Sequence, residues 1–288
     1  MIPWKLLDTA QTPGNGLELR LYQRDNEFSI KAGNYELMNS RVYGTEDALG
    51  KLACQKIANH PQARVLIGGL GMGYTVRSAL DELGVKAHVA VAELVPEVVR
   101  WNRGVLAGLA GNPLDDHRVA VHEADVAQMI KTAKNDYNAI LLDVDNGPQG
   151  LTLKENDWLY SPSGLTTAFA ALRPKGVLAI WSSGPEPAFA KRLRRAGFQV
   201  EEVALRARGK NKGGAHYTVY MAVRGLGRPG GTWSIGNGPK PSLFFGASNF
   251  TTWVDSSDRT LLLDRQPNHV TRTFQGVPAS PNSSSISV

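Results

Sequence analysis

Apolar residues in the first forty positions recur in short groups separated by polar turns. Leu17–Tyr22, Glu27–Lys31 and Tyr35–Asn39 flank Arg24-Asp25-Asn26 and Ala32-Gly33-Asn34, a pattern that predicts a small antiparallel meander over residues 1–42. The period then changes. Thr45-Glu46-Asp47 opens a helix through about Ala58, with Thr45 as N-cap and Asp47 set against the helix dipole, and His60-Pro61 ends it. Solid apolar runs, the mark of strands covered on both faces, now alternate with amphipathic segments. The strands are Val65–Ile67, His88–Ala92, Val119–His122, Tyr137–Asp143 and Val177–Trp181. The helices between and after them are Thr75–Leu83, Pro96 to about Leu109, Val126–Ala133, Ser163–Leu172 and Pro187–Ala196. Such alternation predicts a doubly wound, mostly parallel sheet with helices on both faces. Gln199–Leu205 and Tyr217–Val223 have no helix between them and should pair as an antiparallel edge hairpin, making seven strands within residues 43–225. Residues 226–288 are rich in Gly, Pro, Ser, Asn and Thr without sustained period, and are expected to form a flexible low-complexity tail carrying two apolar islands, Leu243–Phe245 and Leu261–Leu263.

The candidate chemistry gathers where the predicted strands end. After Val65–Ile67 the chain reads Gly69-Leu70-Gly71-Met72-Gly73-Tyr74, a G-x-G-x-G turn rather than the dinucleotide fingerprint G-x-G-x-x-G. Glycines there let the backbone approach a ligand, and the free N–H groups of the following helix favour a polar or anionic group. Glu93 ends the next strand, about twenty residues on, where an acid conventionally grips ribose hydroxyls. Glu123-Ala124-Asp125 follows the third strand and Asp143 ends the fourth. Any one of these acids reads equally as a helix N-cap or loop residue; together they favour a nucleoside site at the carboxyl ends of an open sheet. Asp145 precedes Asn146-Gly147, which is also strong turn chemistry. His216, opening the last strand, is a further candidate base, whereas Trp181 and Tyr137 read as core.

Composition narrows the picture further. With 288 residues the chain can bury one substantial core. No apolar run reaches the roughly 18 residues that span a bilayer, and MIPWKLLDTAQ lacks the charged-then-apolar order of a secretory leader. A single cysteine, Cys54, fits a reducing compartment, so a cytoplasmic protein without membrane contact is expected. No metal-ligand spacing stands out. The formal charge of +6 brings nucleic acid into consideration, with Lys191, Arg192, Arg194 and Arg195 on one helix and Arg206, Arg208, Lys210 and Lys212 in a glycine-rich loop. Neither cluster is interleaved with the aromatics of a single-strand binder, so RNA stays open but is not favoured.

The glycine turn, Glu93, the Glu-Ala-Asp run and the Asp-rich segment after the fourth strand together resemble the spermidine synthase family of polyamine aminopropyltransferases, from roughly Leu17 to Val223. The resemblance implies a class I methyltransferase-like fold and an S-adenosyl sulfonium donor, either S-adenosylmethionine (SAM) or its decarboxylated form. It places Gly69, Gly71, Met72 and Gly73 around the donor, Glu93 on the ribose, Asp125 at the adenine, and Asp143 with Asp145 beside an attacking amine. A small-molecule amine acceptor and aminopropyl transfer follow, with a homodimer left open. The chain also departs from the family, whose turn is typically GGGDGG: aligned on it, the acid is replaced by Met72, which removes a charge that would repel the carboxylate of intact SAM. Asp143-Val144-Asp145 carries its second acid one place early, and a Tyr-His-Glu cluster is missing from the leading helix, although Glu46 and Asp47 lie nearby. These departures keep a SAM-dependent methyltransferase, acting on a small molecule or RNA, as an alternative. A non-catalytic nucleoside- or RNA-binding module is the alternative of another class.

Overall fold

The computed structural model describes residues 2–13, 17–144, 157–206, 216–225, 250–254 and 260–264. The chain divides into two compact units, Met1–Thr232 and Trp233–Val288. In the second, β-strands Phe250–Val254 and Thr260–Asp264 pair antiparallel. The rest of the expected tail, with Leu243–Phe245, lies outside the described residues, as do Asp145, Arg208, Lys210 and Lys212.

The first unit opens with β1 (Lys5–Gln11), β2 (Glu18–Arg24), β3 (Glu27–Ala32) and β4 (Tyr35–Asn39), a four-stranded antiparallel sheet in sequence order. Three of these strands match the predicted meander. The added strand, β1, breaks its alternation at a bulge between Leu6 and Asp8, so it carries no clean period of two. Asp8 then fastens it to the main domain by accepting hydrogen bonds from the Trp101 indole (2.8 Å) and Arg100 (3.0 Å).

The elements that follow are α1 (Gly44–Gln55), β5 (Arg64–Gly68), α2 (Tyr74–Glu82), β6 (His88–Glu93), α3 (Pro96–Arg103), β7 (Val119–Glu123), α4 (Val126–Thr132), β8 (Tyr137–Leu142), α5 (Asp157–Tyr160), α6 (Pro162–Ala171), β9 (Leu172–Ser182), α7 (Pro187–Arg195), β10 (Phe198–Arg206) and β11 (His216–Arg224). Strands β5 to β11 form one seven-stranded sheet in the order β10-β11-β9-β8-β5-β6-β7. Strands β7, β6, β5, β8 and β9 run parallel. β10 and β11 form the expected antiparallel hairpin, but only β10 is an edge: β11 lies between β9 and β10. Helix α7 carries the chain past a strand's width, and β11 returns into the gap.

Both faces of the sheet are covered, and the period of two sorts side chains between them. Val65, Ile67, Val89, Val91, Ala139 and Leu141 belong to one buried cluster with residues of α1, α2, α3 and the small sheet. Their neighbours Leu66, Ile140 and Leu142, with Leu178 and Ile180, belong to another with α4, α6 and α7. This is why the strands read as unbroken apolar runs.

At two helix boundaries the departure from expectation has a local cause. Tyr43, not Thr45, is the residue before α1, because Thr45 turns its hydroxyl inward to Glu46. α3 stops at Arg103, where Gly104 breaks it into a short 3-10 turn over Ala107–Ala110. Cys54 is buried in α1, where burial pushes its thiol pKa up to about 12 and leaves it inert at neutral pH.

Candidate functional site

The carboxyl ends of β5, β6, β7 and β8 meet at one cleft, and the backbone ties them together there. Gly69 N–H donates to Ala92 O (2.9 Å), Ala124 N–H to Glu93 O (3.0 Å) and Asp143 N–H to Gly68 O (2.9 Å). The glycine turn between β5 and α2 takes positive φ at Gly69, Gly71 and Gly73. Asn102, buried on α3, donates to Gly71 O at 2.8 Å and so holds the turn from behind. The cleft is a concave pocket at this rim. Its roof comes from the small sheet, chiefly Leu19, Ile30, Leu37 and Met38.

Four carboxylates line this cleft, Glu46, Glu93, Asp125 and Asp143, and no Lys, Arg or His does so among the described residues. Glu93 is 8% exposed and bridges two loops, its Oε2 accepting from Leu70 N–H and its Oε1 from Val95 N–H, each at 2.9 Å. Burial raises its pKa and these backbone bonds oppose the rise. Asp125 caps α4 by accepting from Ala127 N–H at 2.7 Å, so the capping reading and the cleft reading both hold for it.

Asp143 follows β8 and accepts from Thr75 Oγ1 at 2.8 Å. Burial raises its pKa, and this hydrogen bond lowers it. Glu46 faces the same space from the first turn of α1, with Thr45 Oγ1 donating to its Oε2 at 2.6 Å. Burial pushes the Glu46 carboxyl up first, and the Asp143 charge pushes it further in the same direction. Close packing of α1 on α2 brings these groups together. A Cβ at Gly50 would lie 2.6 Å from Thr75 O, so only glycine lets the helices approach this far.

The structure therefore brings Gly69, Gly71, Glu93, Asp125 and Asp143 to one place. Gly73 caps α2 beside Pro113 and Asn102, supporting the turn rather than lining the cleft. Met72 is a correction: its side chain is wholly buried in the apolar core on the far side of the turn and does not line the cleft. The position that opens onto the cleft is Gly71, whose Cβ would meet Met38 Cε and Sδ at 3.0 Å. His216 is exposed on β11 and is not among the cleft residues. Tyr137 is core, as read, whereas Trp181 lines the cleft and packs on Tyr217 with ring centroids 5.1 Å apart.

Sequence reasoning gave no role to Glu46. The signal is nonetheless present: Glu46, Leu49, Gly50, Ala53 and Cys54 form one buried stripe at helical spacing, and an acid on an apolar stripe needs a reason. Of the basic helix, Arg192 pairs with Glu186 at 3.2 Å and Arg194 with Glu202 at 3.1 Å, which reduces its free positive charge. Among the described residues no group of three or more His, Cys, Asp or Glu is placed to hold a metal, and no helix is long and apolar enough to cross a membrane.

Comparison with known proteins agrees with this picture. Polyamine aminopropyltransferase 1 of Streptomyces coelicolor is 31% identical over 153 residues, covering 50% of this chain and 28% of that protein. A polyamine aminopropyltransferase of Prochlorococcus marinus is 29% identical over 126 residues, covering 43% of this chain and 42% of that one. The chain thus spans less than half the length of the curated relatives it matches. No family model matches. Among solved structures, spermidine synthase from Thermotoga maritima superposes with a TM-score of 0.60 at 15% identity, over 77% of this chain and 74% of that one. A probable spermidine synthase from Corynebacterium glutamicum gives 0.55 at 13%, over 76% and 79%. In sequence and in fold the chain resembles the spermidine synthase family.

Proposed function

We propose that this chain is a transferase that uses an S-adenosyl sulfonium donor to alkylate an amine, with aminopropyl transfer from decarboxylated SAM as the leading reaction. The observation that carries this reading is the charge of the cleft: four carboxylates and no cation among its described lining residues. Such a surface favours cations and disfavours phosphates, which argues against a nucleotide or RNA occupant at this place. Sulfonium and ammonium are cations of the right class, and the names of the curated relatives point the same way.

Within this reading Glu93 holds the ribose, Asp125 faces the adenine, and the backbone at Gly69 and Gly71 comes close to the donor. The donor supplies a carbon activated by its sulfonium. Asp143 orients the acceptor and takes its proton, because an amine with a pKa of about 10 must lose a proton before it can attack. Its fixed place after a buried strand keeps that carboxylate from relaxing away. Asp145, outside the described residues, is retained as a second acid of the acceptor site.

Calorimetry with methylthioadenosine, decarboxylated SAM and intact SAM tests this directly. Binding of the first two with affinity in the micromolar range is expected; no heat from any of the three removes the reading. One observation favours intact SAM and methyl transfer as a second reading, namely that the glycine turn brings no acid to the cleft, where Gly71 presents no side chain. Aspartate is among the residues that tolerate a left-handed backbone, so Gly71→Asp can introduce the missing charge there. It should then weaken intact SAM more than the decarboxylated donor, whereas equal effects on both would remove methyl transfer as an explanation of the open position.

A further inference from the structure

Resting on that reading, the geometry points to Glu46 as a further acid of the acceptor site: Glu46 and Asp143 act as one carboxylate pair that shares a proton and receives the acceptor's ammonium group between them. Both side chains line the cleft, from the first turn of α1 and the end of β8. Each is held by one threonine hydroxyl, Thr45 Oγ1 on Glu46 and Thr75 Oγ1 on Asp143, and the two threonines belong to the helices that Gly50 lets pack closely. Among the described residues the charged groups acting on Glu46 are Asp143 and Asp47, both negative, and the ionisable groups that feel Glu46 in turn are the phenols of Tyr74 and Tyr217. Two buried carboxyls facing one space, with no cation among the described lining residues, are stable with one proton between them or with a cationic ligand. Asp47 is accounted for separately, by its ion pair with Arg77.

In the reaction the ammonium proton passes to Asp143, giving a neutral amine and a carboxylic acid. The amine lone pair then forms the new N–C bond while the C–S bond breaks and its electron pair stays on sulfur as a neutral thioether. The product nitrogen carries the positive charge, and Glu46, still ionised, faces it. Asp143 returns its proton to solvent.

The test uses full-length protein labelled with carbonyl-13C in Asp and Glu side chains, titrated by NMR, with Glu46 and Asp143 identified by loss of their signals in Glu46→Gln and Asp143→Asn. Each variant should lower the midpoint of the remaining partner by about one pH unit or more, since a like charge has been removed. Putrescine, titrated with and without methylthioadenosine in buffers of different ionisation enthalpy, should release protons near the shared titration in wild type and fewer in Glu46→Gln, whose methylthioadenosine affinity stays within a few-fold. A merely structural Glu46 would leave the Asp143 midpoint and the proton release unmoved, and that result overturns the pair. Coupled carboxyls with no putrescine-linked proton release overturn its role as ammonium receptor even where methylthioadenosine binds. Loss of methylthioadenosine binding in wild type counts against the donor reading alone, since the carboxyl midpoints and the putrescine titration without nucleoside still decide the pair.

Discussion

Replacing Gly69 by alanine should damage this protein far more than replacing Gly71, although the two sit two residues apart in the same turn. At Gly69 the backbone has φ +87°, about 30° beyond the left-handed well, where an L side chain costs on the order of 1–2 kcal/mol. The new Cβ would also lie 2.5 Å from Asp143 O and 3.1 Å from Asp143 C, so that peptide must move by several tenths of an ångström. Overpacking against backbone adds roughly 1–3 kcal/mol, giving a total of about 2–5 kcal/mol for Gly69→Ala. At Gly71 the φ of +53° lies within the left-handed well, and the nearest atoms are the Met38 thioether end at 3.0 Å, which can swing aside. About 1–2 kcal/mol is expected there. Urea unfolding at 25 °C with unchanged m-values measures both, and methylthioadenosine calorimetry reports on the cleft. Gly69→Ala should weaken the nucleoside and lower turnover as well, because the displaced peptide is the one that carries the Asp143 side chain. A Gly69→Ala protein within about 1 kcal/mol of wild type, or a Gly71→Ala protein equally damaged, would refute the reasoning.

Asp143→Asn should leave methylthioadenosine affinity within a few-fold and lower turnover by roughly 10²-fold, the scale of a lost general base, whereas Glu93→Gln should mainly weaken the nucleoside and loosen the Leu70 and Val95 loops; steady-state kinetics and calorimetry separate the two. Because Glu46 has a folded pKa raised from 4.5 to about 7 by burial first and Asp143 second, its contribution to stability is complete below about pH 4.5 and is lost as pH rises through 7. Wild-type Tm should therefore fall by several degrees across that window, with Glu46→Gln showing a flatter profile on the order of 1–3 kcal/mol better at pH 8 than at pH 5 relative to wild type; parallel profiles would count against it. Truncation after Arg224 should leave the Tm of the remaining chain nearly unchanged, since residues 226–288 have few apolar positions in any periodic order to offset their ordering entropy; a loss of many degrees by calorimetry would show that the segment is docked.

By itself the sequence determined the parts whose physics is local. Alternating runs and turns specified strands β2 to β4, solid β-branched runs specified the parallel strands, and strand-end position placed Gly69, Glu93, Asp125 and Asp143 on one rim, because in a parallel sheet all carboxyl ends share an edge. Tertiary structure decided the rest. β1 owes its place to the Asp8 contacts with Arg100 and Trp101, ninety residues away, and no period in its own residues announces it. Whether Met72 or Gly71 faces the cleft depends on the path set by the positive φ of Gly69, Gly71 and Gly73, which the alternation G-x-G-x-G does not encode. Trp181 reads as core because its strand is core, yet it sits at the end where the core opens into the cleft. Glu46 is the clearest case. Its stripe marked it as buried, but only the packing of α1 against α2 and the end of β8 sets Glu46 near Asp143, and desolvation together with a neighbour's charge is a property of that space rather than of the residue.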